Sequence, residues 1–185
     1  EELMCDPVDI EDHWPRIAAI DFGWDHPTAV VWCAIDREEE TFYIYDCYRA
    51  SKASPTVHSE VIRQRPYFIP IAYPHDGNRR DSMGNPGLAE QYRNLGCNFL
   101  LQHFTNPPGL GEKKGSNSIE EGIMAMLQSM ENKNFKVFST LHDWFEEFRM
   151  YHRKEGKVVP LRDDLMSATR YAFQSQRYAI AGSDP

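Results

Sequence analysis

Residues Arg16 to Pro27 read Arg-Ile-Ala-Ala-Ile-Asp-Phe-Gly-Trp-Asp-His-Pro, and the apolar run Ile17 to Ile20 within them stops abruptly on a carboxylate, Asp21. An apolar run this short, bounded by a glycine and a proline, predicts a buried strand rather than a helix. Its ending is the unusual part. A charge at the mouth of a buried strand costs several kcal/mol, of order 5, unless it is paired or holds a cation. The plainer alternative is that Asp21 only caps a turn, which aspartate does readily.

The chain around this strand predicts an α/β fold with a mixed central sheet. Thr28 to Asp36 and Thr41 to Tyr48 are two further strands, rich in β-branched and aromatic residues and separated by the turn Arg37-Glu-Glu-Glu40. Short connections make these strands an antiparallel three-strand meander. Ser54-Pro55 then opens a helix to about Arg65, with Ser54 at the N-cap and proline in the first turn. Ile69 to Tyr73 follows as a strand running into Pro74-His75-Asp76-Gly77. A strand reached through a helix is expected to lie parallel to the first. Asp76 then belongs at the same sheet edge as Asp21. That edge, the carboxyl ends of strands, is where open α/β sheets bind ligands.

A helix from Asn85-Pro86 to the stop at Gly96 comes next, then a strand predicted over Cys97 to Phe104. Thr105 to Asn117 is a loop rich in Gly, Pro and Lys. Its Gly109-Leu-Gly-Glu-Lys-Lys-Gly115 lacks the Gly-Lys-Ser/Thr order of a nucleotide-binding loop. Ser118-x-x-Glu121 is a capping box for a helix carrying Ile119, Ile123, Met126, Leu127 and Met130 on one face. Phe135 to Ser139 is extended, and Thr140-x-x-Asp143 is read as the cap of a helix whose stripe is Leu141, Trp144, Phe145, Phe148 and His152. Gly156 to Leu161, with the residues before it, suggests a small hairpin. The last helix is Arg162-Asp-Asp-Leu-Met-Ser-Ala-Thr-Arg-Tyr-Ala-Phe173, with two aspartates in its first turn. One acid there is explained by the helix dipole, which favours it by about 0.3–1 kcal/mol. A second, adjacent acid adds a repulsion that a cation would relieve.

Residues 1–15 are polar and acidic with no periodicity and are read as a linker or arm, 16–180 as the domain, and 181–185 as a tail. The chain starts on Glu-Glu, which suggests a domain taken from a longer protein. With 185 residues and 12% aromatic content it has material for one real core. A net charge of −8 argues against gripping nucleic acid through bulk positive charge. Cys5, Cys33, Cys47 and Cys97 show no CxxC pairing, so no zinc ribbon is expected and a reducing compartment is. No apolar run approaches a membrane span, and no membrane partner is expected.

Three stretches carry a family resemblance: Ile-Asp-Phe-Gly-Trp-Asp-His-Pro-Thr-Ala-Val-Val-Trp at 20–32, Ala-Tyr-Pro-His-Asp-Gly at 72–77, and the Arg162–Phe173 helix. In this order and spacing the chain resembles the RNase H-like, retroviral-integrase-like superfamily. More narrowly, it is similar to the nuclease domain of tailed-bacteriophage terminase large subunits of the headful-packaging type. The resemblance implies a metal-dependent endonuclease that cleaves concatemeric double-stranded viral DNA during packaging into the procapsid. It implies Asp21, Asp76 and one or both of Asp163 and Asp164 as catalytic metal ligands. Many members carry an acid where this chain has Ser167, so which of the 163/164 pair is the principal ligand stays open. The implied partners are double-stranded DNA, an N-terminal ATPase motor domain, a portal protein and a small terminase subunit. The implied place is the host cytoplasm, transiently at the portal vertex.

The residue types suit that chemistry. Two divalent ions about 3.5–4 Å apart activate water and stabilise the leaving oxygen in phosphodiester hydrolysis. Carboxylates suit Mg²⁺ or Mn²⁺. Asp25, His26 and His75 are candidate outer-shell or phosphate contacts, and Arg79, Arg80, Lys113 and Lys114 candidate DNA contacts. Two alternatives remain at this point: a Holliday-junction resolvase or transposase-like nuclease of the same superfamily, and a non-catalytic docking module in which the acids only cap structure.

Overall fold

Period-two alternation along the second strand decides the layering. Ile17 and Ala19 pack into one apolar cluster and Ala18 and Ile20 into another, so the sheet is buried on both faces. The computed structural model describes residues 2–151 and 163–182, with the backbone of 153–154 and 157–158. His152, Gly156, Leu161 and Arg162 lie outside the described residues.

Six strands form the sheet in the order β1-β6-β4-β3-β2-β5. They are β1 (Met4–Cys5), β2 (Arg16–Asp21), β3 (Thr28–Asp36), β4 (Thr41–Ala50), β5 (Ile71–Ala72) and β6 (Phe135–Phe138). The meander β2-β3-β4 is antiparallel, while β5 pairs parallel to β2 and β6 parallel to β4. The mixed sheet expected from the sequence is therefore present. Helices α1 (Pro55–Ile62) and α2 (Leu88–Asn94) cover one face. On the other face lie α3 (Ile119–Glu131), α4 (His142–Met150) and α5 (Asp164–Gln174), with α5 packed across β2 and β3. A two-residue ladder, β7 (Arg153–Lys154) with β8 (Lys157–Val158), accounts for the described part of the predicted hairpin.

Several expectations need correction. The strand predicted over 97–104 is reduced to one bridge between Phe99 and Ile71. Its partner β5 is flanked by Pro70 and Pro74, which have no N–H to donate, so a longer ladder has nothing to pair with. The arm at 1–15 contributes the edge strand β1 on β6, and Trp14 stacks on Tyr43 with ring centroids 5.5 Å apart. Helix α4 begins after Leu141 rather than on a Thr140 cap, and the Asp143 carboxylate is turned to Arg49. Ser54 holds the N-cap position of α1 without a side-chain cap bond. Ser118 does accept from the Glu121 N–H at 3.3 Å, whereas the Glu121 carboxylate turns away to the Ser116 hydroxyl.

On the α1 face, the buried His58 accepts or donates through Nδ1 to the Tyr48 hydroxyl at 2.9 Å, while Nε2 has no partner among the described residues. Burial holds its pKa below the ordinary histidine value, opposed by the Ala53 backbone. A lowered folded pKa means the stability it supports is complete above the unfolded value near 6.5 and is lost as pH falls through the folded one. The pH dependence of melting temperature should therefore differ in His58→Gln, which should lose less, or gain more, than the wild type as pH falls below about 6.5. An unchanged slope in the variant would remove His58 as a cause of that dependence.

Candidate functional site: an acidic cluster at the sheet edge

Asp21 is the last residue of β2, in phase with Ile17 and Ala19, so its side chain leaves the sheet on the α5 face. The Tyr171 hydroxyl, on α5, donates to its Oδ1 at 3.4 Å. The parallel register aligns Ala18 with Ile71 and Ala19 with Ala72. Continued two residues, it sets Asp21 level with Pro74, and the 3-10 turn His75–Asn78 delivers Asp76 to the same edge. The close approach of Gly77 to the Phe22 and Tyr73 rings keeps this turn tight; a Cβ there would lie 2.8 Å from Phe22. Asp163 and Asp164 arrive from the N-terminus of α5.

The electrostatics report the convergence. The Asp21 carboxyl is pushed up to about 8, first by burial and then by the negative charges of Asp164, Asp163 and Asp76. Asp163 and Asp164 are also raised, burial being the largest cause for both, and His26 pulls both back down. Four acids from three distant segments thus share one region, with His26 beside the helix pair. Among the described residues no three His, Cys, Asp or Glu side chains stand as a finished cage for one ion. The acids form a repelling, all-oxygen group, of the donor type that suits a hard divalent cation.

Asp163 occupies the N-cap position of α5 but makes no side-chain cap bond, and Asp164 lies in the first turn, where the helix dipole favours an acid. Asp25, His26, His75 and Asp76 are exposed. His75 lies edge-on to His103, their rings 6.2 Å apart. Arg79 and Arg80 are exposed on the loop after the turn, Arg80 within 3.6 Å of Glu90. Lys113 and Lys114 are exposed on the 105–117 loop. The base of that loop is clipped by the buried Asn106, whose amide donates to Ser116 Oγ and the Ser118 carbonyl and accepts from Gln174.

Sequence reasoning missed three residues near the acids. Tyr171 follows Asp164 by seven positions, two helical turns along one face, a spacing that was available to notice. Glu147 is a charged residue inside the apolar stripe of α4, also a visible anomaly. Arg49 gave no signal, since a cation near the end of a strand is ordinary.

The model of the family described as "Terminase RNaseH-like domain" matches residues 18–176. The chain belongs to this family. The large terminase subunit of Salmonella phage P22 is 37% identical over 97% of this chain, and the match spans 35% of that protein. The chain therefore corresponds to about a third of that relative's length. Among solved structures, the P22 large terminase nuclease domain superposes with a TM-score of 0.87 at 35% identity, covering 98% of this chain and 91% of that one. The nuclease domain of the bacteriophage SPP1 large terminase, solved with bound Mn, shares the fold at a TM-score of 0.60 and 18% identity, covering 93% of this chain and 94% of that one. A terminase RNase H-like domain thus accounts for the six-stranded mixed sheet, and the acidic cluster sits at its carboxyl edge.

Proposed function

We propose that this chain is the divalent-metal-dependent endonuclease domain of a terminase large subunit, cleaving concatemeric double-stranded viral DNA during genome packaging. The observation that carries the reading is the convergence of Asp21, Asp76, Asp163 and Asp164, with the half-buried Asp21 raised by desolvation and by the charges of the other three. Asp21, Asp76, Asp163 and Asp164 would together hold the ions. Bound as a pair, Mg²⁺ or Mn²⁺ supplies water activation and stabilisation of the leaving oxygen.

The remaining residues act around that centre. Tyr171 orients the Asp21 carboxylate. His26 offsets part of the charge on the helix acids, with Asp25 beside it in the same turn. His75 is placed to meet water or phosphate next to Asp76. Arg79, Arg80, Lys113 and Lys114 supply phosphate contacts at the rim. At a net charge of −8 such contacts give weak, salt-sensitive binding. DNA is then delivered by an N-terminal ATPase motor domain, joined through the 1–15 arm, together with a portal protein and a small terminase subunit. This places the chain in the host cytoplasm and, transiently, at the portal vertex.

Supercoiled plasmid, linear duplex and a four-way junction incubated with Mn²⁺ or with chelator test the assignment. Nicking and linearisation of plasmid only with Mn²⁺ is the expected result. Strong preference for the junction would move the chain to the resolvases. No cleavage of any substrate across a full Mn²⁺ titration would leave a docking module.

A further inference from the structure

The first N–H groups of a helix need acceptors from outside it. At the head of α5 the residue in the capping position, Asp163, supplies none. Glu147 of α4 does so instead: its Oε1 accepts from the Leu165 N–H at 2.8 Å and the Met166 N–H at 3.3 Å. Its Oε2 accepts from Arg49 Nη1 at 3.1 Å. Glu147 is 1% exposed, an expensive place for a carboxylate and tolerable only because the helix N–H groups and the guanidinium meet it.

Arg49 is itself fixed. It also pairs with Glu146 at 2.7 Å and Asp143 at 3.3 Å, which ties α4 to β4. In the sheet Arg49 stands opposite Ala29, and Ala29 stands opposite Asp21. The brace is therefore set at the same level of the sheet as the central acid.

We infer that Glu147, braced by Arg49, is a positioning residue for the metal-binding acids: by capping α5 from a neighbouring helix it spares Asp163 that task and holds Asp163 and Asp164 toward Asp21. The inference rests on the proposed metal-dependent function. With Glu147 gone, the uncapped N–H groups are left to Asp163, which already stands at the N-cap position, and a cap formed by Asp163 withdraws it from the cation. A local serine or threonine would cap the helix more simply, but it would take the position Asp163 holds.

Mn²⁺ titration followed by electron paramagnetic resonance, which reads free ion directly, tests this without relying on cleavage. Glu147→Ala should weaken Mn²⁺ binding about 10–100-fold, the range found when an outer-shell partner of a metal site is removed. Glu147→Gln keeps an acceptor oxygen for the helix N–H groups while turning its amide donors toward Arg49, which retains Asp143 and Glu146, and should stay within roughly threefold of wild type. Melting curves establish that each variant is folded. A folded Glu147→Ala that binds Mn²⁺ like the wild type overturns the inference alone. So does a tenfold loss in Glu147→Gln, which decides the matter even if the alanine variant does not fold. A wild type that binds no Mn²⁺ overturns the functional reading and the inference with it.

Discussion

Asp21→Asn is expected to lower Mn²⁺-dependent plasmid cleavage by at least about 10³-fold, equivalent to roughly 4 kcal/mol of lost transition-state stabilisation. The substitution keeps shape and removes the one charge the other acids surround. Its effect on folding should run the opposite way. Without divalent ion, Asp21 is a half-buried carboxyl crowded by Asp164, Asp163 and Asp76. Replacing it should stabilise the metal-free protein by about 0.5–2 kcal/mol, the usual scale when a strained functional group is removed. Saturating Mn²⁺ reverses the order. A ligand at a hundred times its dissociation constant adds about 2.7 kcal/mol to the native state, or roughly 5–11 °C for a chain of this size. That rise should appear in the wild type and be largely absent from Asp21→Asn. Cleavage that survives the substitution would remove Asp21 from the mechanism, and an equal Mn²⁺-induced rise in both proteins would remove it from the ion site.

Trp144→Ala carries the largest expected stability cost. The indole is fully buried on α4, stacked on Phe148 at 5.2 Å, edge-on to Phe145 at 5.2 Å and 6.4 Å from Phe135 of β6. Its Nε1–H donates to Thr169 Oγ1 at 2.9 Å, and that hydroxyl donates to the Leu165 carbonyl at 2.7 Å. The side chain thus joins three elements, one of them the helix bearing Asp163 and Asp164. Removing it should cost about 3–5 kcal/mol from lost contacts and the cavity left behind. On this size of domain the corresponding fall in melting temperature is roughly 6–20 °C. Trp144→Phe keeps part of the ring volume while leaving Thr169 without its donor, and should lose less than half as much. A loss under about 1 kcal/mol in the alanine variant would show that the neighbouring aromatic rings close the space.

Much of this architecture is legible in the chain because local pattern and global placement agree. The meander is readable from β-branched strands joined by short turns. The position of Asp76 beside Asp21 follows from one crossover, since a helix between two strands leaves little choice but parallel pairing. What was not legible depends on partners far away in sequence. Met4–Cys5 becomes a strand only because β6 offers an edge more than a hundred residues later. Residues 97–104 have strand composition but lie against a neighbour hemmed by two prolines. Thr140 looks like a cap, yet Asp143 answers to Arg49 across the sheet. In the site the four acids could be listed from sequence, since Asp21 ends a strand, Asp76 follows one closely and Asp163 with Asp164 opens a helix. The groups that hold them could not. Glu147 and Arg49 are joined across 98 positions and Tyr171 reaches Asp21 across 150, and no local pattern encodes such pairings.

The acids enter the sheet edge from the start, the middle and a late part of the chain, with α5 lying across β2 and β3. This sets an order on biosynthesis. When the chain up to β8 has left the ribosome, all six strands of the main sheet are free to pair, while Asp163 and Asp164 are not yet outside. The nascent polypeptide is then without half of its acidic group, and the covering helix that would bring it is still in the exit tunnel. On this geometry the complete acidic group forms only once α5 has cleared the ribosome, and products that stop short of α5 lack Asp163 and Asp164.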